Sequence, residues 1–420
     1  MEYEKVVEEC KKIIPYITWG NLEKEERYKD RLTFGFENPL NFLGENIFKF
    51  DSLIEAIWKH KDKSIYYLSR NDIEKFVIQI LREIKNTDKL TVVNNKGLKD
   101  QWNELLSRKM QSYYVAFPIY GIIVPKITKL GAFTAFNSSD YKKFIIENNS
   151  IAGKHILQFL FIKDNLNYLV LSIKSRDTQR AIEVAKPHFE LFEYAAKFWL
   201  QGDKHFDIGI FNYNAFHSEE GHAFKEKLSD TDGFASSSKS KGAFQPINIQ
   251  DLAYPQIQFF WDILSRYING TTTEIENRLI NAIRWVGMAN NDNSEITQYV
   301  QYVFAIEALL SHRPAGEMIV PSISFQLAEY AAFIVGENAN EKVISKQELR
   351  LKIFKDVKEI YSNRSKIVHG NDTTMNKILL VNAREFIYKL IYSIMNNKKI
   401  LQFTSMNELS NWINELKFAS

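Results

Sequence analysis

One cysteine, Cys10, among 420 residues leaves no internal disulfide to form and no Cys-rich zinc site, and it fits a reducing cytoplasm. Net charge is also scarce: 54 Lys and Arg against 51 Asp and Glu give +3, so no basic field covers the whole molecule. A nucleic-acid site, if there is one, has to be a local patch. No apolar run approaches the ~18 residues of a membrane span, and MEYEKVVEECKK carries acidic residues where a signal peptide needs basic ones. These absences predict a cytoplasmic protein with no membrane partner. There is no Gly-rich loop in Walker order and no Gly-x-Gly-x-x-Gly turn, which argues against an NTPase or a dinucleotide enzyme. A carboxylate cluster for a metal-dependent nuclease is lacking too. His217–His222, HSEEGH, is not in the His-Glu-x-x-His order of a metalloprotease and reads as a solvated loop. No metal and no cofactor are expected. His60, His155, His188, His205 and His312 stand singly and suggest no role.

What is present divides at a boundary. Length alone suggests two or three domains. Residues 1–228 mix periodicities. Helices are predicted at Glu2–Ile14, Asp51–Lys59, Asn71–Lys85 (with Asn71 as N-cap) and Asp100–Arg108. Strands are predicted at Arg31–Glu37, Thr91–Val93 and Phe206–Tyr213. Tyr113–Ile119 with Ile122–Ile127, and Ile156–Lys163 with Tyr168–Lys174, read as hairpins. Asp177 caps a long helix in which Pro187 should cause an interruption or a kink. The expectation is an α+β N-terminal domain, a mostly antiparallel sheet with helices.

Residues 229–246, SDTDGFASSSKSKGAFQP, read as a flexible linker. Beyond it, residues 247–420 lose strand signals. Helical periodicity marks Tyr254–Ile268, Glu274–Ala289, Ser294–Ser311, Met318–Val335, Ser345–Val368 and Asn376–Met395, with a last short helix at Ser405–Leu416. This half is an all-α bundle.

The informative stretch is Tyr361–Gly370, YSNRSKIVHG. Ile353, Phe354, Val357, Ile360 and Tyr361 recur at helical spacing, and Arg364 falls inside that stripe. A guanidinium cannot shed its charge there, so it needs a carboxylate, a phosphate or a wet interface. Gly370 is a helix stop, which puts His369 in the last turn, where the helix dipole favours the imidazolium by about 0.3–1 kcal/mol. At roughly 100° per residue, Arg364 and His369 stand about 140° apart around the axis. One helix does not readily aim both at one small ligand; a second copy could supply the complementary group.

An Arg, four intervening residues beginning with a polar one (Ser365), then His-Gly, resembles the signature of the HEPN superfamily (higher eukaryotes and prokaryotes nucleotide-binding domains). With YVFAIEALL at Tyr302–Leu310 and RLINAIRWVG at Arg278–Gly287, it resembles the Apea-like branch over roughly Pro255–Asn397. The resemblance implies a HEPN-type bundle and metal-independent RNA cleavage, with tRNA as one candidate substrate. It also implies a homodimer through the C-terminal bundle. By family association, such proteins act in antiviral, toxin-type defence, which suggests a phage-derived or protein trigger.

On this resemblance Arg364 stabilises charge on the phosphorane, His369 moves the proton, and Ser365 hydrogen-bonds phosphate. Glu307, a charge within an apolar helix, either orients Arg364 or His369 or forms a structural bridge to Arg278 or Arg284. Arg278, Arg284 and Lys366 are candidate RNA-phosphate contacts. Asn371 is a supporting position; it stands where HEPN toxins controlled by a nucleotidyltransferase tend to carry a Tyr, so that mode of control is not implied. The alternative is a non-catalytic HEPN nucleotide-, RNA- or protein-binding module, in which Arg364 and His369 hold a ligand or only the fold.

Overall fold

The computed structural model describes residues 1–20, 30–35, 39–58, 68–87, 92–159, 166–200, 205–211, 218–223, 235–240, 245–312, 322–337, 344–370 and 376–418; for 149–159, 218–223, 235–240 and 255–256 the backbone alone is described. The chain packs as two compact units, Met1–Val115 with Ser172–Pro187, and Ala116–Leu171 with His188–Ser420. These packing units do not coincide with the sequence-based division at 229–246, which is carried below as part of the functional proposal.

In the first unit, α1 (Tyr3–Ile13), α2 (Asn46–Trp58) and α3 (Arg70–Asn86) pack on one another, and α4 (Lys96–Ser107) joins them. Their buried faces recur at helical spacing: Val6 and Cys10, Ile54 and Ile57, Ile73, Val77 and Ile80. Phe76 stacks on Trp102 with centroids 5.0 Å apart. The antiparallel strands β1 (Thr18–Trp19), β3 (Leu40–Leu43) and β2 (Arg31–Phe34) lie in that order. Buried Asn41 ties the sheet's open end by donating to the carbonyls of Thr18 (3.2 Å) and Gly20 (2.9 Å). Ser69, not Asn71, is the N-cap of α3, accepting from Asp72 N. Val92 and Val93, expected as strand, form a helical turn; Thr91 lies outside the described residues.

A four-stranded sheet has the order β4 (Gln111–Ile119), β8 (Asn167–Ser175), β7 (Phe133–Asn137), β6 (Thr128–Leu130), and β6–β7 and β7–β8 are antiparallel. β4 therefore neighbours β8, and the hairpin expected with Ile122–Ile127 does not form. Instead Tyr120 exchanges backbone hydrogen bonds with Gly209, Gly121 turns the chain at φ +73°, and β5 (Ile122–Ile123) pairs in parallel with β11 (Ile247–Asn248). The second expected hairpin fails for a different reason. Its first arm belongs to helix α5 (Ser138–Phe159), capped by Asn137, so Ile156–Phe159 is helical; 160–163 lie outside the described residues. A short apolar run does not distinguish a strand from a buried helix end.

Asp177 caps α6 (Thr178–Trp199) as expected, and that helix continues through Pro187. Phe206–Phe211 is not a strand, apart from the Gly209 bridge: the N–H groups of Ile210 and Phe211 donate to the Glu193 carboxylate instead of to a neighbouring strand. The expected linker carries structure as well, since β10 (Ala235–Ser240) pairs antiparallel with β9 (Ser218–Ala223). His217 and residues 229–234 and 241–244 of the expected linker lie outside the described residues.

From Pro255 onward every regular element among the described residues is helical, as expected. The helices are α7 (Pro255–Ile268), α8 (Glu274–Asn291), α9 (Glu295–Leu310), α10 (Ile323–Gly336), α11 (Lys346–Val368), α12 (Lys377–Asn396) and α13 (Met406–Phe418). Ser294, Ser322 and Asn376 cap their helices, and Thr273 and Ser345 form capping boxes with Glu276 and Glu348. The strongest packing is α8 on α9 and α10 on α11, and α12 lies against both α9 and α10. No helix among the described residues is long and apolar enough to cross a membrane.

Gly287 on α8 lets the helix touch α6: a Cβ there would stand 2.4 Å from the Tyr194 carbonyl oxygen and 2.6 Å from its Cα. Backbone cannot swing aside, so Gly287→Ala should cost about 1–3 kcal/mol through overpacking. Urea unfolding of the variant checks this; unchanged stability would mean that the two helices separate freely.

Candidate functional site

Helix α11 carries Arg364 and ends where the sequence placed its stop. Ile353, Val357 and Ile360 form its buried face, His369 is the C-cap, and Gly370 adopts φ +73°. The His369 N–H donates to the Ser365 carbonyl (3.1 Å) and Gly370 N–H to Ile367 (3.0 Å), which closes the last turn. Arg364 continues the buried face and is 21% exposed, whereas His369 is exposed. Within one copy the two groups thus face different surroundings, in keeping with their angular offset.

Arg364 faces Glu307 of α9. Its Nε lies 3.6 Å from Oε1, too far for a hydrogen bond, and both atoms are buried without a hydrogen-bond partner. The guanidinium carbon sits 5.2 Å from the Phe304 ring centroid and 5.9 Å from that of Tyr361. Trp285 of α8 meets Phe304 edge-on at 5.1 Å. The charge is therefore held among aromatic faces, with one carboxylate opposite. Burial raises the Glu307 pKa above the usual carboxylate range, and Arg364 works against that rise. One turn back, the buried Tyr299 hydroxyl donates to the Ile360 carbonyl at 2.8 Å, fixing α9 against α11.

Glu307 is therefore opposite Arg364, and the suggested bridge to Arg278 or Arg284 is not the one formed. Arg278 donates to Glu274 (2.9 Å) and to the carbonyls of Ala308 (3.2 Å) and Ser311 (2.7 Å), so it caps the end of α9. Arg284 stands by Tyr267, whose hydroxyl is 3.5 Å away, and by His188, whose pKa is lowered by burial and then by Arg284. Neither arginine is brought to Arg364. Ser365 is half-buried, Lys366 is exposed, and Asn371 lies outside the described residues. Among the described residues no group of His, Cys, Asp and Glu is arranged to hold a metal ion.

Phe304 and Tyr361 were not foreseen as parts of the site. Each precedes its charged neighbour by three residues, Phe304 before Glu307 and Tyr361 before Arg364, a spacing that puts ring and charge on one helix face. That periodicity was the available signal.

No protein-family model, no curated protein and no solved structure matches this chain.

The Glu307–Arg364 pair makes stability depend on pH. A carboxyl whose folded pKa is raised weakens the fold as pH rises through that value, and does nothing below its unfolded value of about 4.3, where it is protonated in both states. Arg364→Ala removes the group that opposes the shift. The variant should lose about 1 kcal/mol more at pH 7 than near pH 4, a figure discounted for partial exposure. Urea unfolding at the two pH values tests this. An equal loss at both would assign the effect to packing on Phe304 and Tyr361 instead.

Proposed function

We propose that this chain is a metal-independent endoribonuclease of the Apea-like HEPN type, acting as a homodimer through its C-terminal bundle. The observation that carries the reading is the Arg364 guanidinium: charged, mostly buried, with its Nε lacking a hydrogen-bond acceptor, on the same helix as an exposed His369. A purely structural arginine at that depth is normally satisfied by bidentate contacts. This one retains donor capacity that a phosphate oxygen can take up.

In the proposed reaction His369 accepts the ribose 2′-OH proton, the 2′ oxygen bonds to phosphorus, the bond from phosphorus to the 5′ oxygen breaks, and the departing 5′ oxygen takes a proton from solvent. Arg364 stabilises the charge that develops on the phosphorane, and Ser365 hydrogen-bonds a phosphate oxygen. The products are a 2′,3′-cyclic phosphate and a 5′-hydroxyl, and DNA, lacking the 2′-OH, is not cut. Glu307 orients Arg364. Because Arg364 and His369 diverge around the helix, each site is taken to combine Arg364 of one copy with His369 of the other.

By the same reading the protein serves defence against phage in the cytoplasm, and residues 1–228 sense a trigger or select RNA for the bundle at 247–420. Support for that division is the lack of a catalytic motif before residue 229.

The deciding experiment incubates purified protein with total RNA and tRNA in EDTA. Wild type should cut, while His369→Ala falls about 10²–10⁴-fold and Arg364→Ala about 10²–10³-fold. Co-folding the two inactive variants should restore about a quarter of wild-type activity, since half of randomly mixed dimers carry one intact composite site. Cutting that is unaffected by both substitutions would sink the reading. RNA bound but left whole, with and without co-expressed candidate triggers, would favour the non-catalytic binding module.

A further inference from the structure

The exposed side of α11 is chemically sorted in a way that the site does not use. Counting back from His369 at about 100° per residue, Lys366, Ser362, Lys358 and Lys355 all fall within an arc of about 80° that contains His369 itself. All five residues are exposed. The arc is nearly opposite the buried face of Ile353, Val357, Ile360 and Arg364, so these side chains point to solvent over some 21 Å of helix. The carboxylates of the same stretch, Asp356 and Glu359, lie outside the arc. They line a groove between α11 and α12, together with Lys352, Glu385 and Lys389. What remains is a lysine track that ends at His369, with the Lys358 ammonium 5.6 Å from the Phe354 ring.

We infer that a single RNA strand lies along this track, with the phosphates on one side of the scissile linkage contacting Lys366, Lys358 and Lys355. The inference rests on the ribonuclease reading and deepens it. It moves RNA contact from Arg278, which donates to Glu274 and to the end of α9, to the face of α11 where His369 stands. The length accommodates several successive phosphates, since a stacked strand advances roughly 3.4 Å along its axis per nucleotide and an extended one advances farther. With +3 overall, a local stripe of this kind is where the sequence leaves room for phosphate recognition. Contacts of this type read the backbone, so the track supplies affinity and direction rather than base preference.

The test uses the full-length chain carrying His369→Ala, so that RNA stays whole, and a fluorescent single-stranded RNA of mixed sequence. Lys355→Glu with Lys358→Glu should weaken binding at least tenfold. It should also flatten the dependence of log affinity on log salt by roughly 1.4, about 0.7 for each lost phosphate contact. Lys352→Glu with Lys389→Glu, on the groove side, should do neither. Thermal melts check that the surface changes leave the fold intact. Equal affinity and slope in the track variant, or an equal loss in the groove variant, overturns the inference, as does a chain that binds no RNA. Binding that depends on the track in a wild-type protein that never cuts would defeat the ribonuclease reading and leave the track standing.

Discussion

A buried ion network holds the sheet-bearing and helical parts of the second unit together. Glu193 and Lys197 of α6 have side chains 0% and 4% exposed, and their charges meet at 3.2 Å. Burying two ions is costly unless every remaining donor and acceptor is engaged. Here the engagement is what builds the fold. Lys197 also reaches Asp207 (3.4 Å) and donates to the Asn291 side chain (2.7 Å), while Glu193 accepts the N–H groups of Ile210 and Phe211. The segment at 207–211 gives up a strand partner because a carboxylate takes its donors. The end of α8 is tied to α6 by the same charges.

The network continues toward the candidate site through neutral groups. The Asn290 side-chain amide donates to the Lys197 carbonyl (3.1 Å) and to the Tyr388 hydroxyl (2.8 Å), and its oxygen accepts from Tyr302 (2.7 Å). Four helices, α6, α8, α9 and α12, thus share one polar core, in which each partner restricts the next. Tyr302 sets the rotation of α9; Tyr299, on the same helix, fixes α11 through the Ile360 carbonyl. Phe304 and Glu307 are then one to two turns farther along α9, and they are what Arg364 meets. The position of that guanidinium is accordingly determined by hydrogen bonds made well away from it, and not by an ideal ion pair of its own.

Much of this was legible in the sequence, for identifiable reasons. The helices from Pro255 onward combine a 3.6-residue apolar period with Ser, Thr or Asn caps, two local signals that agree. Gly370 announces the end of α11 because only a residue at ease with positive φ continues from His369 as this turn does. The first half was less legible where apolar runs were short. Ile156–Phe159 continues a helix begun at Ser138, and β4 finds β8 instead of the nearer Ile122–Ile123. Strand partners are chosen by tertiary packing, which a run of Val, Ile and Tyr does not encode. At the site, Arg364 stood out because a charge interrupts an apolar stripe. Which arginine Glu307 answers did not, since Arg278, Arg284 and Arg364 all lie on long helices. The distinction lies in interhelical geometry: Arg278 is drawn to the open carbonyls at the end of α9, and Glu307 is left for Arg364.

The two polar groups at the end of α11 therefore differ in kind. Arg364 is costly to bury and only partly compensated: a carboxylate 3.6 Å away gives Coulomb attraction without a hydrogen bond, and that carboxylate is itself pushed toward its neutral form by burial. Such a group has most to gain from an anionic oxygen acceptor that reaches it, because the desolvation cost has already been met in folding. His369 is exposed at the helix end and carries no such cost. In the proposed composite site a phosphate would meet the exposed lysines and the imidazole of one copy first and the guanidinium of the other last. On the proposed reading that order separates attraction from chemistry: recognition depends on exposed charges that salt screens, and the step that breaks the bond depends on a buried charge that salt barely reaches.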